Sequence, residues 1–130
     1  MDYENWYIDK MIGNGAYASV YLVKHISKDP QTMGPKVQYF AMKCIKKSLV
    51  RESKYALSTM RERSCLLAMD HPFILKLHYA FQTPNALYMI FDFINGGDMF
   101  FHIEKNRNLS EKEARYYGAQ IILGLEYLQG

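Results

Sequence analysis

A lysine closes the apolar run Tyr39-Phe40-Ala41-Met42-Lys43. The glycine-rich stretch Gly13-Asn14-Gly15-Ala16-Tyr17-Ala18-Ser19-Val20 precedes it, and an acid, Glu62, follows in a helix-forming segment. Glycine lets a backbone approach closely and turn its N–H groups onto oxygens, so a loop of this type can cradle phosphate. A lysine ammonium is the point charge that phosphate needs. A carboxylate on a neighbouring helix would hold that lysine in place. Loop, lysine and carboxylate in this order suggest a clamp for nucleotide phosphates.

Each part has a plainer reading. A lone G-x-G occurs in dinucleotide-binding folds and in ordinary turns, and the third glycine position here is Ala18. A dinucleotide fold places a helix directly after its loop, whereas Ser19 to Val23 reads as strand. Lys43 alone could be a surface lysine and Glu62 one of many helix-surface acids. Their combination with the loop favours the clamp, because the plain account needs several coincidences. Tyr17 at the loop tip would either fold over the phosphates or stay a mobile aromatic. Asp98, just past Gly96-Gly97, would accept a ribose hydroxyl or begin a helix, and the two roles are compatible. Ile12, Val20 and Ala41 would sandwich a flat base, although strand residues of this type are usually core.

These residues need elements to position them. Trp6 to Met11 alternates as a strand, and Val20 to Val23 reads as a second, with the glycine loop at the turn. Ser27 to Lys36, with Pro30, Gly34 and Pro35, reads as a long connecting loop before a third strand, Val37 to Ile45. Apolar residues at three- and four-residue spacing predict a helix over Ser53 to Met69, closed by His71-Pro72. Phe73 to Phe81 and Ala86 to Phe93 read as two more strands joined through Thr83-Pro84-Asn85. Asp98 to Glu104 reads as a short helix. Ser110-Glu111-Lys112-Glu113 is a capping box, and it opens a helix with Ala114, Tyr117, Ile121, Leu125 and Leu128 on one face.

Composition fits this picture. The 130 residues are 49% hydrophobic and 15% aromatic, enough for one small packed domain. No apolar run approaches the roughly 18 residues of a membrane span, and Met1 to Asn5 lacks the character of a signal peptide, so an intracellular protein is expected. Cys44 and Cys65 lack metal-ligand spacing and are expected to be buried free thiols. The net charge of +3 is mild, and the cluster Lys43, Lys46, Lys47, Arg51, Lys54 carries no nucleic-acid motif beside it. Neither a nucleic-acid nor a membrane partner is expected, and no metal site.

With these motifs assembled, the chain resembles the AGC group of serine/threonine protein kinases. The glycine loop, Phe40-Ala41-Met42-Lys43, Glu62, His71-Pro72-Phe73-Ile74, Leu77 to Thr83 and Asn95 to Phe101 carry the resemblance, which runs from about Trp6 to Leu128. It implies an α+β fold: a small lobe of five antiparallel strands with helix αC over residues 1–95, hinge included, then the first helices of a helical large lobe over 96–130. It implies ATP as ligand, Mg²⁺ in the full-length parent, and transfer of the γ-phosphoryl group to protein Ser or Thr. Lys43 would hold the phosphates, Glu62 would orient Lys43, and residues 13–20 would cover them. Phe91 would stand as gatekeeper behind the adenine, Asp92 and Ile94 would offer hinge backbone groups, and Asp98 would meet the ribose. A groove beside the Ser53–Met69 helix would take a hydrophobic-motif peptide. The cytoplasm, with the nucleus second, is the expected compartment.

The departures have consequences. Ala18 in place of glycine should stiffen the loop. The 130 residues contain no H-R-D catalytic base and no D-F-G metal ligand, so this stretch is expected to bind nucleotide without transferring phosphate at a useful rate. The alternative is a truncated, non-catalytic kinase acting as an interaction module.

Overall fold

The computed structural model describes residues 4–51 and 64–130. Glu62, most of the Ser53–Met69 segment and the groove expected beside it lie outside the described residues. Two compact units form, Met1–Met69 with Lys76–Phe93, and Asp70–Leu75 with Ile94–Gly130.

The first unit is a sheet of five strands: β1 (Trp6–Asn14), β2 (Ala18–Lys28), β3 (Pro35–Lys46), β4 (Leu77–Gln82) and β5 (Ala86–Asp92). Their order is β1-β2-β3-β5-β4, and every neighbour is antiparallel. A short helix, α1 (Lys47–Arg51), follows β3, and residues 64–67 are helical. The sheet is apolar on both faces. On one, Val23, Met42 and Ile90 are buried against Trp6, Tyr21, Phe40, Phe81 and Tyr88. On the other, Ile45, Leu77, Met89 and Phe91 are buried, with Ala18, Leu66, Ala80 and Leu87 packed against them.

Two strand boundaries differ from the sequence reading. The expected loop Ser27–Lys36 is strand at both ends, because Ile26 pairs with Val37 and the ladder continues to Lys28 opposite Pro35, leaving residues 29–34 as the turn. A proline is tolerated there since it is the first residue of its strand. The true turn is tighter. Asp29 N–H donates to the Gly34 carbonyl (2.8 Å), the Asp29 side chain accepts from Gln31 N–H (2.8 Å), and Met33 takes φ 59°. Phe73 to Leu75, read as strand, are instead a turn in which Ile74 N–H reaches the His71 carbonyl and Phe73 N–H the His71 ring. The expectation of buried thiols is also corrected: Cys44 is half-buried and Cys65 exposed, both free. Neither side chain belongs to the two apolar clusters.

The second unit contains α2 (Met99–Asn106) and α3 (Glu111–Gln129). Asp98 caps α2 by accepting Phe101 N–H at 2.8 Å. Before it, Gly97 adopts φ +82°, and a Cβ there would lie 3.0 Å from the Phe101 ring, so both backbone and space require glycine. Ser110 and Glu113 make both halves of the capping box of α3. Buried Gly124 faces the 70–75 turn, and Tyr127 Oη accepts Asp70 N–H at 3.0 Å while its ring lies on His71. The outer side of α3 leaves Ile121, Ile122, Leu125 and Leu128 exposed. No helix among the described residues is long and apolar enough to cross a membrane.

Two outcomes follow from this packing. Ile90, 2% exposed at the sheet centre, should cost about 2–5 kcal/mol of stability as Ile90→Ala, measured by urea unfolding. The Ser110 backbone and hydroxyl hold the Glu113 carboxyl below the ordinary glutamate value. Its capping contribution is therefore fully present above the unfolded-state pKa and lost as pH falls through the lower, folded value. Helical signal from α3 should decline on acidification through that window in the unsubstituted chain. Ser110→Ala should flatten that decline.

Candidate functional site

Pairing register decides which side chains share a face, because directly paired residues of neighbouring strands point to the same side. Gly13 pairs with Val20, Val20 with Lys43, Lys43 with Met89 and Met89 with Ala80. These five form one row across all five strands. Two residues along β3 lies a second row on the same face, Lys10, Leu22, Ala41, Phe91 and Leu77. The half-buried lysine thus stands in line with the glycine loop, flanked by Val20 and one step from Ala41 and Phe91.

The loop itself is a hairpin end. Asn14 pairs with Ser19, and Ser19 Oγ donates to Asn14 Oδ1 at 3.1 Å. Gly15 N–H donates to the Ala18 carbonyl at 2.8 Å, leaving Ala16 and Tyr17 at an exposed tip. Ile12 is an extra residue in β1, since Met11 pairs with Tyr21 and Gly13 with Val20; that bulge shifts the strand just before the loop. Neither Gly13 nor Gly15 is needed by the fold. A Cβ on Gly13 would approach Val20 no closer than 3.6 Å, one on Gly15 would lie 3.6 Å from the Ala18 carbonyl, and neither residue is in the left-handed region. Backbone left bare where the fold has room for a side chain fits a surface that another group must approach.

Phe91, 8% exposed, stands in the second row between Ala41 and Leu77, and Asp92 follows at the end of β5 with its N–H on the Lys76 carbonyl (3.3 Å). Ile94 and Asp98 belong to the second unit. There Ile94 is exposed, and Asp98 spends one carboxylate oxygen on the α2 cap. Glu62 lies outside the described residues. Among the described residues no group of three or more His, Cys, Asp or Glu side chains could hold a metal ion. One contact had no signal in the sequence. His78, an extra residue in β4, lies against the Asp92 carboxylate, and only the strand register reveals it.

Chemically, the first unit offers a bare backbone edge, a cation in line with it and small or flat apolar groups beside both. That suits an anion joined to a flat apolar body. Comparison with known proteins points the same way. The family described as "Protein kinase domain" matches residues 6–129. A mouse protein, ribosomal protein S6 kinase alpha-2, is 40% identical over 121 residues, covering 93% of this chain and 16% of the relative. Serine/threonine-protein kinase Sgk1 of Fundulus heteroclitus is 38% identical over 120 residues, covering 92% of this chain and 26% of the relative. A RAC family serine/threonine-protein kinase homolog of Dictyostelium discoideum is 37% identical over 118 residues, covering 91% and 25%. The chain therefore spans about a quarter or less of the length of these relatives.

Because the fold has room for a methyl group at both loop glycines, Gly13→Ala and Gly15→Ala should leave stability unchanged or raise it by up to about 1 kcal/mol. Thermal unfolding of each variant checks this; a lowered midpoint would mean that the fold itself needs the glycines.

Proposed function

Since the chain belongs to the protein kinase domain family, we propose that its first unit, with the residues up to about 95, is the nucleotide-binding small lobe and hinge of an AGC-type serine/threonine kinase. Residues from about 96 onward begin the large lobe. The observation that carries this reading is the cross-strand row Gly13, Val20, Lys43, which sets a cation beside a bare glycine backbone on one face.

The residues fit Mg-ATP in four ways. The glycine backbone at 13 and 15 has room above it for phosphate oxygens. The Lys43 ammonium would take the α/β-phosphates as a point charge, and Glu62 would orient it. Val20, Ala41 and Ile12 would enclose the base, with Phe91 behind it and backbone groups of Asp92 and Ile94 at its edge. By the family resemblance, Asp98, which caps α2 through one carboxylate oxygen, would meet a ribose hydroxyl. Bound Mg²⁺ supplies charge neutralisation on the phosphates. The loop's part is to cover them and exclude water; Tyr17 would add to that cover.

In the full-length parent this lobe would serve transfer of the γ-phosphoryl group to protein Ser or Thr. The present 130 residues contain neither an H-R-D nor a D-F-G sequence. Base and metal-ligand roles account for much of phosphoryl-transfer catalysis, so this stretch alone would recognise nucleotide without turning it over.

Calorimetric titration with Mg-ATP tests the proposal on the chain and on Lys43→Ala. Binding is expected, and it should weaken at least about tenfold in the variant, in keeping with loss of a charge-assisted phosphate contact. No heat of binding in either protein would sink the nucleotide reading and leave the interaction-module alternative.

A further inference from the structure

We infer that His78 is a positioning residue for the segment that reads the base, and through it a determinant of adenine over guanine. The inference rests on the nucleotide reading above. Four observations converge on it. In β4, Leu77 pairs with Phe91 and Tyr79 with Ile90, so two steps on β4 oppose one on β5 and His78 is the extra residue. A bulge of this kind re-aims a side chain. His78 Nε2–H donates to Asp92 Oδ1, and the His78 ring packs edge-on against Phe40, whose own pairing partner is Asp92. The Asp92 N–H is already committed to the Lys76 carbonyl. Asp92 is thus held by its side chain through His78 and by its backbone N–H through Lys76.

In the nucleotide reading, the group that Asp92 would offer to the base edge is its carbonyl, an acceptor. An acceptor suits the amino group of adenine and repels the carbonyl oxygen that guanine carries at the same ring position. Rotation of the Asp92–Phe93 peptide would replace the carbonyl with the Phe93 N–H, a donor, and would admit guanine. A side chain tied to β4 opposes that rotation. The His78 side chain is 26% exposed and that of Asp92 50%, so the pair is partly solvated and its influence is modest.

The test is a calorimetric comparison of Mg-ATP and Mg-GTP on the unsubstituted chain, His78→Phe, His78→Gln and Asp92→Ala. His78→Phe keeps an aromatic ring against Phe40 and loses the N–H. It should weaken ATP about three- to fivefold while GTP holds or tightens, narrowing the ATP:GTP ratio. His78→Gln restores an N–H donor and should recover most of the ratio. Asp92→Ala removes the other half of the pair at an exposed strand end and should narrow the ratio as His78→Phe does. If ATP binds the unsubstituted chain but the ratio is unchanged in the variants, or both nucleotides weaken in parallel, the positioning role is overturned while the nucleotide site stands. If the unsubstituted chain binds neither nucleotide, both fall together.

Discussion

The central strand β3 sets everything else on the sheet, because it pairs with β2 from Pro35 to Ile45 on one side and with β5 from Phe40 to Lys46 on the other. Two continuous ladders leave it no freedom to slide, and a shift of one residue would send Ala41, Lys43 and Ile45 to the opposite face. That would exchange a buried isoleucine and a half-buried cation for Met42 and Cys44. The cost falls on the core as well as on the site, since Ile45 packs with Leu77, Met89 and Phe91. The apolar packing that stabilises the sheet is therefore the same constraint that aims Lys43. A lysine on a flexible loop would have no such guarantee.

How much of this was legible beforehand differs from element to element. Alternation and the glycine loop gave the first hairpin, and Ser110 with Glu113 gave the start of α3, because each depends on residues close in sequence. Lys43 was legible for the same reason: its strand is a short apolar run with clear ends. The stretch from Phe73 to Phe81 was not. It is largely apolar and aromatic, so composition could not separate the turn at 73–75 from the strand that begins at Leu77. Nor could it show that Leu77 and Tyr79 face opposite ways across the bulge, which depends on pairing with β5. The long hairpin of β2 and β3 misled in the other direction, since Pro30, Gly34 and Pro35 mark one turn and were read as ending both strands early.

The second unit shows how a segment is assigned by contact and not by position in the chain. Asp70 to Leu75 is flanked by first-unit residues on both sides, yet it packs with α3. Gly124 allows the close approach, and the Tyr127 hydroxyl occupies the Asp70 N–H, which would otherwise have no strand or helix partner. A proline at 72 prevents helix continuation and makes the turn available for that contact.

The bulges have an effect beyond the residues they aim. The outermost strands of the sheet are β1 and β4. β1 carries extra residues at Asp9 and Ile12, and β4 at His78, so each edge is broken by irregular pairing. An edge strand with a flat, regular row of N–H and C=O groups invites another chain to add to it, whereas a bulged and twisted one offers no matching ladder. With apolar residues on both faces, this sheet would otherwise be a template for self-association. The local distortions that place Ile12 beside the loop and His78 beside Asp92 also close the sheet at five strands.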